Sequence, residues 1–365
     1  MTDAASAALA EPQVSEPEVL VEQRGRLGIL TLNRPKAINA LTHNMVTLIT
    51  DALTAWRDDD AIATVAIIGA GERGLCAGGD VVSLYQAATG GDTESAASFW
   101  RDEYRMNAMI GRYPKPIVAI QDGLVLGGGI GVSAHASHRI VTERSRLGFP
   151  EVTIGFVPDV GATWLLSRAP GGTGIRLGLT AEHVGPADAI HVGFSDHFVP
   201  SDRIPQLLSA LESEDAPAAI ALLAETPEAS ALAEDAEHLD AAFQHDSVTG
   251  IIDALRARGA DAVADGILSK SPTALTVTLE SLRRASALPS LEKALEEEFI
   301  VSMNALQHPD FAEGVRAQLI DKDRNPRWSP ATLDDVDPAQ VDAFFTPGAA
   351  GELDLDDLAL SKETK

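Results

Sequence analysis

Three stretches of the chain bring glycine or carboxylate together at a density that packing alone does not require. The first, Gly69-Ala70-Gly71-Glu72-Arg73-Gly74-Leu75-Cys76-Ala77-Gly78-Gly79-Asp80, follows a short buried strand. Gly69, Gly71 and Gly74 match the spacing of a dinucleotide-binding turn, but that turn opens directly into a helix. Here a second glycine-rich turn intervenes, which argues against a dinucleotide. The second stretch, Gly123 to Ser133, contains Gly127-Gly128-Gly129 between a buried strand and an expected helix. Three consecutive glycines exceed the needs of a turn, and free N–H groups at a helix start suit an oxyanion or a phosphate. The third, Phe149 to Ala162, places Glu151 and Asp159 in an otherwise apolar run broken by glycine and proline. A carboxylate stripped of water there has a raised pKa and can act as acid or base near neutrality. The alternative is a pair of loop acids facing water, the commoner fate of these side chains.

The elements that hold these stretches alternate strand and helix. Val19–Val21 and Leu27–Leu32 read as a strand pair, Thr64–Gly69 and Pro116–Gln121 as buried strands, and 139–142 and 146–149 as short ones. Thr42 is placed to cap a helix reaching Trp56, with Met45, Leu48, Ile49, Ala52 and Leu53 at helical spacing. Ser98–Arg112 reads as another helix. This order implies α/β layering. From Ser201 alanine, leucine and glutamate dominate, and 273–288 and 290–306 are amphipathic helices. The expected organisation is a flexible leader over residues 1–18, a catalytic core over 19–200, a helical region over 201–346 and an acidic, frayed tail over 347–365.

Charge and composition exclude several functions. With 54 acidic against 28 basic residues the net charge is −26, which repels nucleic acid and anionic membranes. A small anion can still bind, because that field is screened over roughly 8–10 Å at physiological salt. No apolar run is long enough to span a bilayer, and the N-terminal residues lack the features of a secretory or transit signal. One cysteine, Cys76, excludes an internal disulfide and a cysteine-based zinc site. A cytoplasmic location is expected, with Cys76 as a packing residue. Ser133 and His135, two apart on one expected helix, face different ways and form no catalytic pair.

Taken together, LNRPKAINALTHNM, GLCAGGD, RDEYRMN, GGGIGVSAHASHRIVTE and FPEVTIGFVPDVGA resemble the crotonase (enoyl-CoA hydratase/isomerase) superfamily. FAEGVRAQLIDKDRNPRW, from Phe311 to Trp328, extends the similarity through the helical region and points to the 3-hydroxyisobutyryl-CoA hydrolase branch. The resemblance implies a spiral of ββα units followed by helices that cover the active site or a subunit interface, with homo-oligomers possible. It implies an acyl-CoA substrate, no metal or redox cofactor, and an oxyanion hole from the backbone N–H groups of Gly79 and Gly128. It also implies Glu151 and Asp159 as catalytic acids and Glu103 at the substrate pocket. Arg34 and Lys36 are candidates for the coenzyme A phosphates, with a solvated loop as the alternative.

Hydratases of this superfamily carry a second glutamate where this chain has Gly131. Its loss, with Asp159 present, implies hydrolysis of 3-hydroxyisobutyryl-CoA in valine catabolism. The rivals are an enoyl-CoA hydratase or isomerase and a non-catalytic acyl-CoA-binding protein that has kept the fold.

Overall fold

The computed structural model describes residues 16–359; most of the expected leader and the last six residues of the tail lie outside it. The chain opens with a hairpin. β1 (Val19–Arg24) pairs antiparallel with β2 (Leu27–Leu32), and Gly25, at φ 56°, sits in the two-residue turn between them. β2 then runs parallel to β3 (Thr64–Gly69), β3 to β4 (Ile117–Gln121), and the order continues through β6 (His138–Val141) to β8 (His197–Phe198). Two further strands, β5 (Leu124–Leu126) and β7 (Arg146–Gly148), form a second small parallel sheet. Each of β4–β5 and β6–β7 is therefore one turn of the expected ββα spiral.

Both faces of the large sheet are covered, as parallel strands require. Leu30, Leu32, Val65, Ile67, Ile117 and Ala119 point to one side, against the His43–Arg57 and Thr93–Arg112 helices. The alternate residues Leu27, Ile29, Ala66, Val118 and Ile120 point to the other, against Leu207, Leu211, Ala216 and Ile220. Period-two alternation with apolar residues in both phases explains why these strands read as continuous hydrophobic runs.

Helix starts follow their caps. Thr42 accepts from Met45 N–H at 3.1 Å, and Ser271 and Ser290 cap Pro272–Ser286 and Leu291–Gln307 in the same way. Among the described residues no helix is long and apolar enough to cross a membrane.

Several expectations change. Val81–Gly90 is a helix capped by Asp80, absent from the sequence reading because it buries no residue fully. The helix expected after the triple glycine is one turn, Gly128–Gly131, so Ser133 and His135 lie in the turns beyond it. The tail expected to fray from 347 is docked as far as residue 359. Leu353 and Leu355 are buried, Arg105 pairs with Asp357 at 2.7 Å, and apolar contact there outweighs acidic repulsion. Residues beyond 200 divide between two cores: Leu295, Phe299, Phe311 and Val315 pack in the same cluster as the sheet residues, whereas Ile251, Leu255, Ile267 and Leu275 form a second cluster that Val152 and Leu179 join.

Candidate active site

The small sheet positions the chemistry. Cys76 bridges Val125 of β5, and Leu126 at the end of β5 lies opposite Gly148 at the end of β7. Three neighbouring stretches thus finish side by side and deliver Gly78–Gly79, Gly127–Gly128 and Glu151 to one place. Carboxyl ends of parallel strands are the usual ligand site of α/β sheets. A cleft of about 540 Å³ opens there, lined by Gly79, Gly128, Glu103, Glu151 and Asp159 together with Trp100, Phe156 and Phe311. All five residues expected at the acyl site therefore meet around one cavity.

The triple glycine has separate causes at each position. Gly127 adopts φ 47°, and a Cβ there would lie 2.5 Å from Glu151 Oε1. A Cβ on Gly129 would run into the Cys76 carbonyl, and one on Gly128 would lie 3.2 Å from Gly79 N and 2.9 Å from Glu103 Oε1. Gly79 and Gly128 thus face the same small space. Among the described residues neither backbone N–H has an acceptor in the chain. Two unpaired donors converging on a pocket are what an oxyanion needs.

The acids are buried. Glu151 begins a 3-10 turn, Glu151–Ile154, directly after β7, and its Oε2 has no hydrogen-bond partner. Burial against apolar walls raises its pKa well above the ordinary carboxylate range, and the negative charges of Asp159 and Glu298 add to the rise. Asp159 is pushed up to about 7 by burial, opposed by the hydrogen bond from Tyr104 Oη to its Oδ2 at 2.6 Å. Glu103, on the Thr93–Arg112 helix, is raised by burial and then by Asp159; its Oε1 is also unpartnered. Among the described residues no Lys or Arg lines the cleft to offset these acids.

The space beside Gly131 is filled. A Cβ at Gly131 would meet Val160 Cβ at 2.7 Å and Asn107 Nδ2 at 3.1 Å. No carboxylate can enter the cleft from that position without displacing them.

Other candidates fall out differently. Arg34 is committed to the protein itself, donating to the Ala40 carbonyl at 2.5 Å and pairing with Glu18 at 3.2 Å and Asp80 at 3.6 Å. Lys36 is exposed, and neither residue lines the cleft. Cys76 is fully buried with its thiol pushed up to about 12 by burial, a packing residue. Ser133 Oγ donates to the Gly129 carbonyl while His135 Nε2 reaches the Val160 carbonyl, so the two do not meet. Arg316 pairs with Glu313, Asp321 and Asp323 in an ion network away from the cleft. Glu296, Asp354 and Asp356 converge at metal-ligand spacing, yet Lys293 pairs with Glu296 at 2.7 Å and Asp356 at 2.8 Å and supplies the positive charge.

Tyr104 and Glu298 were not among the expected site residues. Glu298 interrupts the apolar stripe of Leu291, Leu295 and Phe299, and an acid on a buried helix face is the signal that could have found it.

The pattern of the enoyl-CoA hydratase/isomerase family matches residues 27–345. A curated relative from Xenopus tropicalis, named 3-hydroxyisobutyryl-CoA hydrolase, mitochondrial, is 37% identical and covers 94% of this chain and 92% of its own. One from Arabidopsis thaliana, named probable 3-hydroxyisobutyryl-CoA hydrolase 3, is 36% identical over 91% and 92%. A crystal structure described as a carnitinyl-CoA dehydratase from Mycobacterium thermoresistibile superposes with TM-score 0.89 at 51% identity, covering 92% of this chain and 98% of that one. An enoyl-CoA hydratase from Rhodobacter sphaeroides does so at 0.87 and 41%, over 93% and 100%. The fold is thus shared along nearly the whole chain, and the protein belongs to the enoyl-CoA hydratase/isomerase family.

Proposed function

We propose that the protein hydrolyses a short 3-hydroxyacyl-CoA thioester, 3-hydroxyisobutyryl-CoA first, to the free 3-hydroxy acid and coenzyme A. The observation that carries this reading is Glu151, a base whose Oε2 has no partner, beside the unpaired N–H groups of Gly79 and Gly128. The names of the curated relatives support the same substrate.

In this reading the thioester oxygen lies between the two N–H groups. Loss of one such donor typically costs about 2.7–4 kcal/mol of transition-state stabilisation. Ionised Glu151 takes a proton from water as the water oxygen bonds to C1. The C1–S bond then breaks, and the thiolate leaves or recovers that proton. Attack by Glu151 itself, through a mixed anhydride that water then cleaves, reaches the same products. Asp159 holds the substrate hydroxyl with the oxygen that Tyr104 leaves free. Lys36 is the better candidate of the two basic residues for a coenzyme A phosphate, since Arg34 is already paired.

The two solved structures, described as a carnitinyl-CoA dehydratase and an enoyl-CoA hydratase, favour a second reading, hydration or dehydration of an enoyl-CoA. That chemistry shares proton transfers at adjacent carbons between two acids, and the place beside Gly131 holds Val160 instead. No metal or redox cofactor enters the proposed chemistry. A role in valine catabolism and a cytoplasmic setting complete the proposal; the animal relatives carry a mitochondrial label, and cell fractionation decides between the two. Thiol release measured over a panel of saturated, 3-hydroxy and 2-enoyl thioesters tests the whole. Fastest release from short 3-hydroxyacyl-CoA is expected, and no release from any member sinks it.

A further inference from the structure

Asp159 opens a turn that local preference does not favour. Val160 lies at φ 58° and Gly161 at φ 83°. A β-branched residue in the left-handed region crowds its own side chain against the backbone, and such a conformation persists only where the surroundings hold it. Glu298, from the Leu291–Gln307 helix, accepts from Gly161 N–H at 2.6 Å through Oε2. Its Oε1 accepts from Thr163 N–H at 2.8 Å and Thr163 Oγ1 at 2.6 Å. His135 Nε2 lies 2.8 Å from the Val160 carbonyl oxygen, which can only accept, so that nitrogen carries the proton. Tyr104 Oη bonds Asp159 Oδ2 at 2.6 Å and lies 2.9 Å from Ser302 Oγ.

We propose that Glu298, assisted by His135 and Tyr104, is a positioning residue that clamps this turn and thereby aims Asp159 at the substrate. The inference deepens the hydrolase reading and rests on it. Glu298 touches neither the cleft nor a reacting atom; it acts through the turn. If Val160 relaxed to negative φ, the Asp159 carboxylate would swing away from its present place. Val160 would also leave the space over Gly131. One clamp therefore both presents one acid and blocks the place of another. Glu298 and Ser302 come from beyond residue 200, so the helical region takes part in building the site.

Glu298→Gln keeps the shape but turns an NH2 toward a backbone N–H that needs an acceptor. Thr163→Val keeps the carboxylate and removes one hydroxyl donor. Both are made in wild-type and Asp159→Ala backgrounds, and coenzyme A release from 3-hydroxyisobutyryl-CoA is followed. In the wild-type background Glu298→Gln is expected to lower kcat about ten- to a hundredfold with a smaller change in KM, and Thr163→Val to lower it less. In the Asp159→Ala background each further loss should shrink to about twofold or less, because the residue they act through is gone. Equal losses in both backgrounds, or full activity of folded Glu298→Gln, overturn the clamp. If Glu298→Gln does not fold, Thr163→Val decides on the same criterion. Wild-type enzyme that releases no coenzyme A rejects the hydrolase reading separately. The clamp is then judged by a crystal structure of Thr163→Val: a turn left in place with Val160 still at positive φ refutes it, and a relaxed turn supports it.

Discussion

Replacing Asp159 by alanine should penalise a substrate in proportion to what its 3-hydroxyl gives away. Of the two carboxylate oxygens, Oδ2 is taken by Tyr104 at 2.6 Å and Oδ1 receives no hydrogen bond from another residue. Oδ1 is therefore the acceptor available to a substrate hydroxyl in the cleft that Asp159 lines. A hydrogen bond to a charged group contributes about 1.5–3 kcal/mol, which is roughly ten- to over a hundredfold in kcat/KM. The comparison is a cycle between two enzymes, wild type and Asp159→Ala, and two substrates, 3-hydroxyisobutyryl-CoA and isobutyryl-CoA, which lacks the hydroxyl. The loss of the Tyr104 partner affects both substrates alike and cancels. Because burial raises Asp159 to about 7, the carboxylate is mostly charged at pH 8 and mostly protonated at pH 6. The discrimination should thus be large at pH 8 and shrink toward pH 6, where only a neutral hydrogen bond remains. Thiol release gives the four rates of the cycle at each of the two pH values. Equal losses for the two substrates at pH 8 would refute the idea that Asp159 reads the hydroxyl.

Other residues make equally specific demands. Glu151 must be ionised to act, and its pKa is raised by burial and then by Asp159, so the acid limb of kcat/KM should lie well above the usual carboxylate range. Asp159→Asn should move that limb to lower pH, and Glu151→Gln should abolish turnover while coenzyme A binding, read by calorimetry, survives; a limb near pH 4 in wild type contradicts this. A methyl at Gly128 would lie 3.2 Å from Gly79 N, whereas one at Gly79 meets nothing nearer than Phe99 at 3.8 Å. Gly128→Ala, which keeps its N–H but sets a methyl in the space between the donors, should therefore lower kcat at least about tenfold further than Gly79→Ala does, with equal effects arguing against a hole between them. Glu103 has a folded pKa raised above its unfolded value, so its protonated form favours folding below the unfolded pKa, and that contribution fades as pH rises through the folded pKa. Glu103→Gln should melt higher than wild type at alkaline pH and near it at pH 5, and a pH-independent difference would show that Glu103 is not a buried, raised acid.

The elements were legible where local chemistry decides them. Thr42 and Ser290 announce helices because a cap needs only its own next three residues, and the buried strands announce themselves by unbroken apolar runs. The convergence of Gly79, Gly128, Glu103, Glu151 and Asp159 was readable only through the resemblance, since glycine density alone leaves a turn as good an account as a ligand site. What failed depends on distant partners. Arg34 looked free for a phosphate, but Glu18 and Asp80 claim it from either side in sequence. Glu298 lies 137 residues from Gly161, and no periodicity encodes that contact. The tail misled for the same reason. Its acids suggested solvent, while Leu353 and Leu355 find a core contributed by earlier segments.

The most direct test of the central claim follows a single substrate along its two possible fates. Given 3-hydroxyisobutyryl-CoA alone, a hydrolase produces free coenzyme A thiol and 3-hydroxyisobutyrate. A dehydratase keeps the thioester and produces the α,β-unsaturated acyl-CoA, which absorbs in the ultraviolet. The Glu151 base, the unpaired N–H groups of Gly79 and Gly128, and the space beside Gly131 filled by Val160 predict stoichiometric thiol release with no unsaturated thioester. Accumulation of the unsaturated thioester without free thiol would contradict the account.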